Sequence, residues 1–295
     1  MKILILGGNG MLGSQLTEVL NRHYEVTTLG RTVSFKSREH IHIDVNSEKN
    51  FSDFLKENVY DIIINCVAII NHEYCELNPN ESLKVNSLLN QILIENIPDS
   101  TFIIYISSDA VFNDKITNRK PSSPTFPKST YGISKEIGER VLLNSKISQN
   151  FLIIRTTIVG FSSTGKGFIE WMVNSIKNNQ VITLFDDVKF NPISIYEFSK
   201  ILLDFITRGV FSREIIHINS TESTTKYDFG LLLAKKLGLN RSFIRRGKLS
   251  EFEKKGNRNL DQRIDVNESD PRFPLPRLID TLITLNNYYE NKNSF

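Results

Sequence analysis

The sequence predicts a doubly wound parallel α/β sheet with a smaller C-terminal lobe beside it. Three observations lead there. Short β-rich runs alternate with helical runs through the first half, Asp61–Val67 is an almost unbroken apolar run, and a glycine-rich turn joins the first strand to the first helix. Unbroken apolar runs form strands covered on both faces, and strand–helix alternation closes through right-handed crossovers.

Taken in order, Lys2–Leu6 is a strand and Leu12–Leu20 a helix; Glu25–Leu29 and His40–Val45 are strands, and Phe51–Glu57 has helical character. Asp61–Val67 is the buried strand. A helix from Asn80 to Glu95 is entered through Pro79 and closed ahead of Pro98, because proline suits a first helical turn and disfavours helix just before it. Thr101–Ser107, Ser129–Leu143 and Phe151–Thr156 continue as strand, helix and strand. Beyond Gly160 the rhythm changes. Gly and Ser cluster at Ser162–Gly167, and helices are expected at Phe168–Lys177, Glu197–Thr207 and Tyr227–Leu237, with a strand at Glu214–Asn219. A charged, irregular stretch, Arg241–Arg272, precedes a closing helix around Leu278–Tyr289. The boundaries that follow are 1–157 with part of 190–222 for the sheet domain, and 158–189 with 223–295 for the smaller lobe.

Composition narrows the function classes. The chain has 295 residues, 40% hydrophobic and 23% charged, which suits an ordinary soluble globular protein with a sizeable core. Its two cysteines, Cys66 and Cys75, exclude a disulfide scaffold and suit a reducing cytoplasm. A net charge of +3 is too mild for a nucleic-acid or anionic-membrane partner. The longest apolar stretch, Ile62–Ile70, is interrupted by Asn65 and falls short of the roughly 20 residues that span a bilayer.

The chemistry starts at Gly7-Gly8-Asn9-Gly10-Met11-Leu12-Gly13, directly after the first strand. Glycines there permit a tight turn and let backbone amides approach a pyrophosphate at a helix N-terminus, the fingerprint of dinucleotide binding. The second strand runs out in Leu29-Gly30-Arg31-Thr32, without the acid that usually accepts from an adenosine ribose. Arg31 can grip a 2′-phosphate, so NADP(H) is preferred and NAD(H) is the alternative; Arg31 stacking on adenine or facing solvent is the blander reading.

Tyr131 and Lys135 lie one helical turn apart at the start of a helix, so phenol and ammonium share a face. A phenol titrates near pH ~10 and needs a nearby positive charge to act near neutrality. Lys135 is the source of that field. The strand upstream ends in Ser107-Ser108-Asp109-Ala110-Val111-Phe112, at the carboxyl edge where ligands bind. Either serine could share a substrate oxygen with Tyr131; successive side chains point oppositely, and spacing alone does not choose between them.

With these motifs the chain resembles the extended short-chain dehydrogenase/reductases, nearest to their dTDP-4-dehydrorhamnose reductase-like branch. The resemblance spans almost the whole chain and rests on the glycine loop, Asp44-Val45, Asn65-Cys66-Val67-Ala68, Cys75–Pro79 to Val85-Asn86, Ser107–Phe112, Tyr131 with Lys135, Arg155-Thr156-Thr157 and Asp186 to Pro192. It implies a Rossmann fold and makes Ser108 the partner of Tyr131, the proton donor, with Lys135 on the nicotinamide ribose. It implies cofactor contacts from Gly7, Asn9, Gly10, Met11, Leu12, Gly13, Arg31, Asp44, Val45, Cys66, Val67 and Ala68, besides Tyr131 and Lys135. Ser108, Asp109 and Ile158 are implied to face the sugar. The implied reaction is NADPH-dependent reduction of the C4 ketone of a nucleotide-linked 4-keto-6-deoxy sugar, in deoxysugar biosynthesis for cell-surface polysaccharide, by an enzyme that is a homodimer by analogy.

The chain departs from that branch at Ile158, where a bulky aromatic is usual, at Ala110, where a Tyr is usual, and at Asn257-Arg258-Asn259-Leu260, which stands for a late Arg-Pro motif. Asp109-Ala110 also supplies only half of the acid pair that related dehydratases use. An epimerase and a non-catalytic NADP-binding regulatory subunit are the competing functions. The missing acid after the second strand opposes the first, and retention of Ser108, Tyr131 and Lys135 opposes the second. Elsewhere blander readings prevail. Cys66 and Cys75, with only His72 nearby, are inert thiols rather than metal ligands. Arg241, Arg245, Arg246, Lys248, Lys254, Lys255 and Arg258 read as a solvated face before a diphosphate site, Trp171 as core before a base-stacking platform, and Pro121–Pro127 as a connecting loop or a gate.

Overall fold

The computed structural model describes residues 1–31, 39–45, 47–116, 119–146, 150–162, 165, 167–251, 257–267 and 273–293. In chain order the first strands are β1 (Lys2–Leu6), β2 (Glu25–Gly30), β3 (Glu39–His42), β4 (Ile62–Asn65), β5 (Phe102–Ile106) and β6 (Phe151–Arg155). Then come β7 (Ile158–Val159), β8 (Ile182–Phe185), β9 (Lys189–Phe190), β10 (Ile193–Ser194), β11 (Glu214–His217), β12 (Thr224–Thr225) and β13 (Ile244–Gly247). Seven of them form one sheet in the order β11-β6-β5-β4-β1-β2-β3, and every neighbouring pair is parallel. The order reverses beside β1, so a crevice opens at the carboxyl ends of β1 and β4, the switch point where such sheets bind ligands.

Both faces of the sheet are covered, which is why its strands read as apolar runs. The helices are α1 (Met11–Leu20), α2 (Glu48–Glu57), α3 (His72–Leu77), α4 (Pro79–Leu83), α5 (Leu89–Asn96), α6 (Thr130–Leu143), α7 (Phe168–Lys177), α8 (Ile195–Thr207), α9 (Lys226–Lys236) and α10 (Leu278–Asn293). On β1, Ile3 and Ile5 pack with Leu12, Leu16 and Leu20 of α1 and with Phe198 and Leu202 of α8. Leu4 and Leu6 point the other way, into the layer of Phe51, Leu55, Leu89, Leu93 and Leu142 from α2, α5 and α6. Each such side chain contributes about 1.5–3 kcal/mol through burial. A separate cluster, built on Met172, Phe190, Phe229, Leu233 and Leu282, fills the space between α7, α9 and α10.

Three local differences from the sequence reading bear on the site. The helix expected over Asn80–Glu95 is α4 and α5 with a π-helical turn, Lys84–Leu88, between them, which turns Val85, Asn86 and Ser87 inward. The strand expected at His40–Val45 is confined to Glu39–His42, leaving Asp44 exposed after it. The stretch expected to be irregular from Arg241 contains β13, which pairs in parallel with β8. Among the described residues no helix is long and apolar enough to cross a membrane, and no group of three or more His, Cys, Asp or Glu could hold a metal ion.

Candidate active site

The first turn builds a phosphate cradle from backbone alone. Gly7 N–H donates to Leu29 O (2.8 Å) and Gly10 N–H to Gly7 O (2.9 Å), which folds the loop back on itself. A side chain at Gly13 would start 2.2 Å from Gly7 O, so the first turn of α1 closes on the loop only because residue 13 lacks one. No side chain caps α1, which leaves its first amides directed outward for an anion. These features fit a dinucleotide. Gly10, Met11, Leu12 and Gly13 form one wall of a cleft of 320 Å³, and Cys66, Ala68, Tyr131 and Lys135 are also on its walls.

The remaining residues expected at the cofactor stand off that cleft. Val67 packs against Gly7, and Asn9 reaches over Gly30 at the end of β2. Arg31 is exposed immediately after β2 and Asp44 is exposed after β3, while Val45 is half-buried against the core. Thr32 lies outside the described residues. The Cys66 thiol, pushed up to about 12 by burial, is no nucleophile.

A second cavity, of 460 Å³, opens beyond the cleft toward α7, α9 and the segment around Arg258. The two share Ile70, His72, Ser108 and Asp109. Ser108 stands at their junction, and it shares the glycine-loop cleft with Tyr131 and Lys135. Ser129 caps α6 by accepting from Gly132 N–H (3.1 Å), and Glu76 of α3 accepts from Thr130 N–H (2.9 Å) and Thr130 Oγ (2.7 Å). At Gly132 a Cβ would lie 2.2 Å from Ala110 O, so α6 touches the turn after β5. That approach brings Tyr131 onto the glycine-loop cleft together with Ser108, whose hydroxyl lowers the phenol's pKa. Ser108 Oγ accepts from Ala110 N–H (3.2 Å) and donates to Asp109 Oδ1 (3.1 Å).

Ser107 faces the other way. Its Oγ donates to Glu139 Oε1 (2.5 Å), and Glu139 in turn receives Arg155 Nη2 (2.7 Å) in an ion pair whose side chains are 2% and 3% exposed. The strand alternation that left the two serines undecided thus gives one to the site and one to a buried network beneath it.

Electrostatics at the junction differ from the simple picture of a lysine acidifying a phenol. Burial raises the Tyr131 pKa and the Asp109 carboxylate raises it further, against the lowering effect of the Ser108 hydroxyl; the phenol keeps its proton. Lys135 is 1% exposed, with Nζ 4.0 Å from the Tyr105 ring centroid. Burial brings its pKa down to about 7, opposed by Glu139. Burial likewise raises Asp109, opposed first by Lys226.

Several site residues were not singled out from sequence. His72 lies on both cavities, its ring centroid 4.7 Å from that of Tyr131. Asn86 Nδ2 donates to Ile69 O (3.1 Å) and to Ser134 Oγ (2.9 Å), and its Oδ1 accepts from Ile69 N–H (2.7 Å). The clamp holds the rim of the cleft onto α6. Trp171, read as core, is 46% exposed and lines the larger cavity with Phe168, because the apolar stripe of α7 runs through Ile169, Met172, Val173 and Ile176 instead. Ile158, expected beside the sugar, lines the glycine-loop cleft and not the larger cavity. Arg241, Arg245, Arg246 and Lys248 are exposed, whereas Arg258 lines the larger cavity; Lys254 and Lys255 lie outside the described residues.

The chain is similar to known proteins along most of its length. The chain is 25% identical, over 100% of both chains, to the probable low-salt glycan biosynthesis reductase Agl14 of Haloferax volcanii. It is 26% identical to a dTDP-4-dehydrorhamnose reductase of Streptomyces griseus, over 64% of this chain and 60% of that one. Its fold superimposes on a dTDP-4-dehydrorhamnose reductase of Bacillus anthracis crystallised with NADP, with a TM-score of 0.82 at 19% identity, over 96% of this chain and 98% of the other. Residues 1–277 match the RmlD substrate binding domain, and the chain belongs to that family of extended short-chain dehydrogenase/reductases.

Proposed function

We propose that this protein is an NADPH-dependent reductase of the C4 ketone of a nucleotide-linked 4-keto-6-deoxy sugar. The observation that carries the reading is the meeting of a dinucleotide cleft with a second cavity at Ser108, Asp109 and His72, with the Tyr131 phenol on the same cleft as Ser108. Bound NADPH supplies the hydride to the ketone carbon. Ser108 holds the ketone oxygen by turning onto it the hydroxyl proton that it otherwise gives to Asp109 Oδ1. Tyr131, kept protonated by its burial, gives its proton to the same oxygen as negative charge develops there. Lys135, on the wall of the same cleft, is assigned to the nicotinamide ribose, with Glu139 favouring its charged form. Arg31 is assigned to the 2′-phosphate, and Gly10–Gly13 to the pyrophosphate. The two lobes are 1–157 with part of 190–222, and 158–189 with 223–295. Two free thiols, Cys66 and Cys75, suit work in the cytoplasm.

NADPH absorbance, followed with a panel of dTDP- and UDP-linked 4-keto-6-deoxy sugars, tests the reading. Tyr131→Phe is expected to lower kcat by about 10²–10⁴ and leave KM near the parent value. Turnover unchanged in that variant removes the assigned acid. Isomer interconversion without net NADPH consumption makes the protein an epimerase.

A further inference from the structure

Lys226 plays no part in the chemistry assigned above, yet it stands in an unfavourable place. It is the first residue of α9, after the Thr225 cap, where a cation opposes the positive end of the helix. Its Nζ lies 3.6 Å from the Phe190 ring centroid and 5.5 Å from that of Phe168. Burial lowers its pKa to about 8, with Asp109 opposing and Arg258 adding to the effect. The side chain lines the larger cavity, and among the described residues no hydrogen bond engages its ammonium. The ammonium is held over the Phe190 ring, and its remaining N–H donors have no oxygen partner among the described residues on the cavity whose wall it shares with Asp109, to which it is electrostatically coupled.

An ammonium donor next to a carboxylate acceptor is the pair that matches a hydroxyl, which both accepts and donates. The place of that hydroxyl follows from the site. Ser108 Oγ and Asp109 Oδ1 are 3.1 Å apart, a spacing suited to oxygens on neighbouring ring carbons. With the C4 ketone oxygen on Ser108, the neighbour C5 carries the ring oxygen and a methyl group, so C3 is the neighbour with a hydroxyl. We propose that Lys226 and Asp109 together read the C3 hydroxyl of the sugar, Lys226 donating to its oxygen and Asp109 accepting its proton, so that the substrate is a 4-keto sugar with a free C3 hydroxyl. The assignment rests on the reductase reading for the identity of the ketone, and on the cavity for the rest.

The test is a cycle between enzyme and ligand, with Lys226→Met on one side and removal of the 3-hydroxyl on the other. Wild type and variant are assayed with dTDP-4-keto-6-deoxyglucose and its 3-deoxy counterpart. Each single change is expected to lower kcat/KM by about 10–100-fold, as loss of one hydrogen bond to a charged group does. The double change is expected to cost no more than removal of the hydroxyl alone, because without that hydroxyl Lys226 has no contact left to lose. Additive losses overturn the proposal and leave Lys226 as a wall residue.

Binding gives a readout independent of turnover. Trp171 is the chain's only tryptophan and is 46% exposed on the same cavity. Its fluorescence can be titrated with dTDP-6-deoxyglucose, with and without the 3-hydroxyl. Should no keto sugar be reduced, the reductase reading fails while this titration still decides the role of Lys226; equal affinity of wild type for both ligands refutes it. Lys226→Arg and Lys226→Gln, checked by thermal melting, replace Lys226→Met if that variant does not fold, and each is expected to recover part of the 3-hydroxyl preference.

Discussion

Replacing Lys135 with methionine is expected to make the dinucleotide-free protein more stable while abolishing reduction. A lysine whose pKa falls from 10.5 to about 7 costs roughly 4–5 kcal/mol more to keep charged in the folded chain than in the unfolded one. Below pH 7 both states bind the proton and the whole penalty is present. Between about pH 7 and 10.5 the unfolded chain holds the proton and the folded chain has released it, so wild-type stability rises with pH by up to about 1.4 kcal/mol per unit. Methionine fills a similar volume without a charge, and the lost cation–π contact with Tyr105 offsets about 0.5–2 kcal/mol of the gain. Urea unfolding at pH 6.5 should therefore place Lys135→Met about 2–4 kcal/mol above wild type, and the gap should shrink by roughly 2–3 kcal/mol at pH 9. Parallel pH profiles for the two proteins, or a variant weaker at pH 6.5, would refute the argument. A site residue that opposes the stability of its own fold is the expected trade when function needs a buried charge.

Three further outcomes are expected. Gly13→Val sets carbon against Gly7 O and should abolish NADPH binding in a fluorescence titration. Arg155→Met removes the buried ion-pair partner of Glu139 and should cost about 3–5 kcal/mol in denaturant unfolding, part of it recovered by adding Glu139→Leu. Arg31→Glu replaces a 2′-phosphate donor with a repelling acid, and should lower the NADPH-to-NADH ratio of kcat/KM by at least about tenfold.

The sheet was legible in the sequence because two-sided burial writes itself as unbroken apolar runs, as in β4 with all residues buried. The glycine turn was legible because steric need restricts those positions to one residue type. Ser108 could be assigned only by resemblance, since a strand's alternation says that neighbours diverge and not which faces the ligand. β13 was missed: among the described residues its Ile-Arg-Arg-Gly run pairs with β8 alone and exposes both arginines, so it carries little apolar signal. Trp171 was misread because an aromatic next to Phe168 and Ile169 looks like core until the helix phase is known. Lys226 did have a signal, a cation at the first position after a threonine cap, against the helix dipole. Glu139 with Arg155 and the Asn86 clamp depend on contacts far apart in the chain, which local pattern does not encode.

The Asn86 clamp has a consequence for how this cavity changes over time. One amide side chain grips both the N–H and the carbonyl of Ile69, as an adjacent strand would, so the rim is anchored through its main chain. The next residue, Ile70, is 68% exposed and borders both cavities, yet its own side chain bears none of that anchoring. Its size and polarity can be exchanged without displacing Ser108 or Tyr131. A scaffold arranged this way lets one rim position be retuned toward a new sugar while the reacting groups stay in register.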